Sequence, residues 1–184
     1  MKLKTVCTRK RPSCAGVWVF KAAAITLSLS LTLAGPAAAD TLPITTQRGA
    51  ISLAGTLERA EDPRAVALIL PGSGPTDRNG NSVAGINSDA YRLLAEGLAA
   101  EGITTGRIDK RGIGDSAGDG NAVSFAAYRE DHAAWIATLR AETGADCIWL
   151  LGHSEGALLA IDAAALDGVC GMVLLTSPGR PLAA

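Results

Sequence analysis

The chain has no Gly-Lys-Ser phosphate-loop pattern and no Gly-x-Gly-x-x-Gly run opening a helix, so the usual devices for cradling a nucleotide phosphate are missing. Residues 1–39 contain six basic side chains and no acidic one, which leaves 11 basic against 18 acidic in the other 145 residues, a net charge of −7. An acidic body lacking clustered Lys and Arg excludes nucleic acid as an expected partner. No cysteine stands just after the N-terminal apolar run, so nothing marks a site for lipid attachment. Histidine is scarce as well: His132 and His153 are the only two, and none follows position 153.

The charge asymmetry of the first 39 residues has a local explanation. A basic leader precedes a 13-residue apolar run, Ala22 to Ala34, followed by Gly35-Pro36 and the small residues Ala37-Ala38-Ala39 ahead of Asp40. This is the layout of a secretory signal peptide cut after Ala39, and it predicts an exported protein, periplasmic or extracellular. The run is short for a bilayer and Pro36 would end its helix; an uncleaved anchor is the rival reading. Export leaves Cys147 and Cys170 in a compartment that permits disulfides, while Cys7 and Cys14 depart with the leader. Each remaining cysteine opens an apolar run read as a strand. A bridge between neighbouring parallel strands and a pair of buried free thiols are both open.

What is present centres on Gly152-His153-Ser154-Glu155-Gly156. It lies between the apolar run Ile148 to Leu151 and an alanine-rich stretch, Ala157 to Ala165, that reads as a helix. Strand, Gly-x-Ser-x-Gly and helix in that order form a nucleophile elbow, which would hold Ser154 exposed on a strained turn. A bare Gly-Ser turn joining strand to helix is the plain alternative.

Upstream, Asp40 to Gln47 reads as a short polar lead-in, and Ala50 to Glu58 as a half-buried antiparallel strand. Ala65 to Leu70 is continuously apolar, as for a strand covered on both faces, and ends in Pro71-Gly72-Ser73-Gly74-Pro75. Ser88-Asp89 reads as a helix start, with Ala90, Leu94 and Leu98 as its apolar stripe beside Leu93 and Gly102 as its end. Ile103 to Ile108 is the next strand, and Asp109 to Ser116 a charged loop in which Asp109 and Arg111 would pin the backbone by charge-assisted hydrogen bonds. A helix over Ser124 to Glu142 carries Tyr128, His132, Trp135, Ile136 and Leu139 on one face, which makes His132 a hydrogen-bonded packing residue and not a general base. A last strand spans Val169 to Thr176.

Taken together these segments resemble the α/β-hydrolase superfamily, and within it the esterase-like branch grouped with the serine aminopeptidase S33 type. The resemblance runs from Ala50 to Leu182. It rests on Pro71-Gly72-Ser73-Gly74, Asp109-x-Arg111-Gly112-x-Gly114-x-Ser116 and Gly152-His153-Ser154-Glu155-Gly156, each at the end of an expected strand. It implies an α/β fold, a mostly parallel sheet with flanking helices, with the partial domain occupying residues 40–184 and its C-terminal half incomplete. It implies Ser154 as nucleophile, an oxyanion hole made by the backbone amides of Ser73 and Glu155, a small acyl-ester substrate, and no metal or organic cofactor. In this family an acid and then a histidine follow the serine. Here Glu155, Asp162 and Asp167 are the acids after Ser154, with no histidine, so the resemblance implies a hydrolase truncated after the sixth of eight central strands and of impaired activity. A non-catalytic remnant, or a half-domain needing a partner and self-associating through its last strand, is the rival class. Thioesterase and peptidase chemistry remain open within the enzymes.

Overall fold

The computed structural model describes residues 40–179; the leader with its cleavage site, Cys7, Cys14 and residues 180–184 lie outside them. Six strands form one sheet. β1 (Asp40–Arg48) and β2 (Ile51–Arg59) make an antiparallel hairpin, β2 pairs antiparallel with β6 (Ile103–Ile108), and β6 runs parallel to β3 (Ala65–Leu70). β7 (Ile148–His153) continues on the other side of β3, and β8 (Val169–Leu175) ends the sheet, giving the order β1-β2-β6-β3-β7-β8. A two-stranded ribbon, β4 (Asn81–Ser82) and β5 (Ile86–Asn87), stands apart from it.

The α/β, mostly parallel arrangement expected from the sequence is what the chain adopts, with one addition. Asp40 to Gln47, read as a short polar lead-in, belongs to strand β1. Its signal is thin: only Ile44 and Thr46 point inward and are buried. Pro43 argues against a strand in a sheet interior, yet β1 lies at the edge, where a missing N–H need not break a ladder.

Helices cover both faces. α1 (Ala90–Ala100) lies on one side, packing Tyr91 and Ala95 against Ala67, Ile69 and Leu151. α2 (Phe125–Thr143) and α3 (Glu155–Ala163) lie on the other, where Trp135, Ile136, Leu139, Leu159 and Ala160 meet Val66, Leu68, Leu70, Ile148 and Leu150. Neighbouring residues of β3 thus serve different cores, the consequence of period-2 alternation in a strand covered twice.

Two details of α1 differ from expectation. Its fully buried positions are Tyr91, Ala95 and Ala99, one step along from the Ala90, Leu94 and Leu98 stripe, and Leu93 is exposed. Apolar size misleads here, because the close approach to the sheet is made by alanines. Asp89 occupies the N-cap position without a capping hydrogen bond; its carboxylate accepts from Asn81 Nδ2 at 2.7 Å and pairs with Arg92. α2 begins as its sequence predicts, with Ser124 Oγ accepting from the Ala127 amide at 3.1 Å.

Cys147 and Cys170 are joined, with 5.2 Å between their α-carbons. The bridge links the starting ends of β7 and β8. Among the described residues no helix is long and apolar enough to cross a membrane.

Candidate active site

Ser154 sits at the junction of β7 and α3 with φ 54° and ψ −116°, a conformation that costs a non-glycine residue about 1–3 kcal/mol. Two flanking glycines permit the turn by absence of volume. A β-carbon on Gly152 would stand 2.2 Å from the Gly156 carbonyl oxygen, and one on Gly156 would stand 2.2 Å from that of Leu70. Strand β3, strand β7 and helix α3 therefore converge within backbone contact distance. The Ser154 amide donates to the Leu175 carbonyl at 2.9 Å, which fastens the turn to the end of β8.

The loop after β3 lies against this turn: the β-carbon position of Gly72 is 3.4 Å from Ser154 Cβ. Ser73 is exposed beside it, and Ser73 and Ser154 line one cleft of about 370 Å³ with Gly72, Tyr91, His153 and Leu175. Among the described residues neither the Ser73 N–H nor the Glu155 N–H donates to a protein acceptor. For Glu155 the reason is its place in the first turn of α3, where amides have no intrahelical partner and the helix dipole favours negative charge.

Several side chains absent from the sequence reading organise this region. The Gly72 amide donates to the Tyr91 hydroxyl at 3.0 Å, and the same hydroxyl is 2.8 Å from His153 Nδ1. Burial raises the Tyr91 pKa, against a smaller opposing effect of the Gly72 amide. Lys110 is buried; its Nζ donates to the Gly72 carbonyl at 2.7 Å and is 3.5 Å from Glu155 Oε2. Burial pulls the Lys110 pKa down, and the Glu155 carboxylate works in the opposite direction. Tyr91 falls beside the helix's expected stripe, and Lys110 occupies the unspecified position of Asp-x-Arg. Neither carries a signal that spacing could reveal.

The loop after β6 is pinned by its charges as predicted. Asp109 is buried and accepts from the Arg78 amide at 2.7 Å and the Asp115 amide at 3.0 Å. Burial raises its pKa, and those two amides oppose the rise. Arg111 Nε donates to Asp131 Oδ2 on α2 at 2.8 Å. Ser116 Oγ donates to the Asp109 carbonyl and accepts from the Ala54 amide, both at 2.9 Å.

The remaining acids and His132 lie elsewhere. Asp162 pairs with Arg129 at 3.5 Å and Asp167 with Arg140 at 3.3 Å, both bonds running from α3 and its following turn to α2. His132 is buried in α2, stacked on Tyr128 with ring centroids 6.2 Å apart, and burial pushes its pKa down to about 4. It packs as expected, but its buried Nδ1 has no hydrogen-bond partner, which corrects the expectation of a hydrogen-bonded histidine. Among the described residues no group of three or more His, Cys, Asp or Glu side chains converges to hold a metal ion.

Comparison with known proteins agrees with this geometry. Residues 84–180 match the serine aminopeptidase S33 family. The chain is 27% identical over 127 residues to the esterase EstD of Thermotoga maritima, an alignment taking in 69% of this chain and 30% of the esterase. A crystal structure of an α/β serine hydrolase without a lid from Xanthomonas campestris superimposes with a TM-score of 0.61 at 25% identity, over 77% of this chain and 64% of that one. An esterase from Pyrococcus furiosus shares the fold with a TM-score of 0.61 at 21% identity, over 91% of this chain and 55% of that one. The chain thus spans under a third of the curated esterase's length and about half to two thirds of these structures.

Proposed function

Because the chain belongs to the serine aminopeptidase S33 family of the α/β-hydrolases, we propose that it is an exported serine hydrolase of the carboxylesterase type. The observation that carries the reading is the strained Ser154 turn, held where Gly152 and Gly156 leave no room for a side chain. Ser154 Oγ attacks the ester carbonyl carbon, its proton passing to solvent water as the new C–O bond forms. The carbonyl oxygen becomes an oxyanion, received by the free amides of Ser73 and Glu155. Collapse breaks the bond to the alcohol oxygen, which leaves with a proton taken from solvent, and a second water then hydrolyses the acyl group, restoring the proton to Ser154 Oγ. Each oxyanion donor is worth about 3–4 kcal/mol in the transition state. The esterase relative supports an ester as substrate.

No histidine follows Ser154 in the 184 residues, and His153 turns Nδ1 toward Tyr91. For a polypeptide of these 184 residues alone the expectation is slow turnover, sustained by binding and oxyanion stabilisation, which retain about a thousandfold over water in serine proteases. Short-chain p-nitrophenyl esters test this. We expect weak nitrophenol release that Ser154→Ala abolishes, with an acyl adduct on Ser154 by mass spectrometry. Release unchanged in folded Ser154→Ala would sink the hydrolase reading, and fast turnover lost in Ser154→Ala would sink the claim of slowness.

Export rests on the leader of residues 1–39 and is supported by the Cys147–Cys170 bridge, since disulfides persist in oxidising compartments. An exported product beginning at Asp40 is the expected N-terminal sequence. The second reading, a half-domain that pairs with another chain, is favoured by β8, where Met172, Val173 and Leu174 are exposed.

A further inference from the structure

We infer that Lys110 is a positioning residue for acyl transfer: by holding the Gly72 carbonyl it sets the direction of the Ser73 N–H. The inference rests on the reading of Ser154 as nucleophile and of the Ser73 amide as an oxyanion donor. Lys110 belongs to the loop after β6, yet neither of its partners does. Its Nζ reaches the Gly72 carbonyl of the loop after β3 at 2.7 Å and the Glu155 carboxylate, on the residue after the nucleophile, at 3.5 Å. One ammonium thus ties together the two backbone segments that carry the free amides. Its own loop does not need it, being pinned by Asp109 on the Arg78 and Asp115 amides and by Arg111 on Asp131. Burying a lysine head to 5% side-chain exposure is costly unless its hydrogens are used.

The direction follows from peptide geometry. No described peptide bond is cis, and in a planar trans peptide the carbonyl of one residue and the N–H of the next point in opposite directions. Fixing the Gly72 oxygen on Lys110 therefore fixes the Ser73 N–H on the far side of the same plane. The Tyr91 hydroxyl holds the preceding amide, that of Gly72, at 3.0 Å, so the residue is gripped at both its N–H and its carbonyl. The Ser73 N–H is left without a protein acceptor among the described residues, beside the cleft that Ser73 and Ser154 line together.

The test compares wild type with Lys110→Met, which keeps the length of the side chain and removes the charge. Rapid-mixing acylation with p-nitrophenyl acetate gives the acylation rate constant and the half-saturating concentration separately, and ¹H–¹⁵N spectra report the Ser73 amide. We expect a folded variant whose acylation constant falls about tenfold or more, with half-saturation unchanged and the Ser73 resonance displaced. A folded Lys110→Met that acylates at the wild-type rate, or whose Ser73 resonance stays in place, overturns the inference. If wild type and Ser154→Ala release nitrophenol equally, the hydrolase reading fails, and the Ser73 resonance still decides whether Lys110 sets that amide. Should Lys110→Met not fold, Lys110→Gln, too short to hold the Gly72 carbonyl but still polar, carries the same two readouts with the same outcomes.

Discussion

His132 shows what burial does to a titratable group that chemistry does not use. It lies in the α2 core with an unpartnered Nδ1 and a pKa pushed down to about 4, against about 6.5 in an unfolded chain. Above pH 6.5 the imidazole is neutral in both states and contributes no pH dependence. Between about 6.5 and 4 the unfolded chain binds a proton that the folded one refuses, so stability falls with pH, by about 2–3 kcal/mol at pH 4.5. Urea unfolding at pH 7 and pH 4.5 should show that loss in wild type and a correspondingly smaller one in His132→Leu; equal losses would mean another group titrates. Ser154 was legible because its turn requires small residues at fixed offsets, Gly152 facing the Gly156 carbonyl oxygen and Gly156 that of Leu70 in β3. Tyr91 and Lys110 were not, because they act across 19 and 38 residues of sequence through single contacts to Gly72.

At the scale of elements, the glycines divide by what surrounds them. Gly156 of α3 has the Leu70 carbonyl oxygen 2.2 Å from its β-carbon position, a backbone atom of β3 that cannot step aside. Gly156→Ala should cost several kcal/mol, on the scale of severe core overpacking, and yield protein that chemical denaturation finds barely folded. Gly97 of α1 is exposed with open space at the same position, so Gly97→Ala should gain about 0.5–1 kcal/mol through helix propensity and a less free unfolded chain. The opposite sign in either variant would contradict the packing of that helix. The bridge between the starts of β7 and β8 closes a separation of 23 residues. Its removal by Cys147→Ser with Cys170→Ser should cost about 3 kcal/mol and lower Tm by on the order of 10 °C in thermal scans; an unchanged Tm would show that the bridge constrains nothing. Strand β3 was readable because a strand covered on both faces is an unbroken apolar run, and β7 by its run Ile148 to Leu151. β1 was hidden by carrying only Ile44 and Thr46 inward, and the phase of α1 by the small size of Ala95 and Ala99.

The two edges of the described sheet differ. β1 closes one edge of the sheet with a polar hairpin strand, whereas β8 ends the other with Met172, Val173 and Leu174 exposed. On the face shared with α1, Trp149 and Leu151 of β7 continue into Val173 and Leu175 of β8, and with Leu94 and Leu98 they line an apolar hollow of about 520 Å³. Parallel strands are normally covered on both faces, and an uncovered apolar edge offers both a row of unpaired backbone groups and surface to bury. The net charge of −7 over residues 40–184 opposes association only weakly once screened at physiological salt. We therefore expect the isolated chain to self-associate at about micromolar concentrations, seen as a concentration-dependent sedimentation coefficient. Val173→Lys places a charge on the apolar face at the edge strand and should shift the distribution toward monomer without loss of helix and strand signal in circular dichroism. A wild-type chain that sediments as a monomer across that range would show that the edge is protected, and would remove the support for pairing with another chain while leaving the reading of Ser154 untouched.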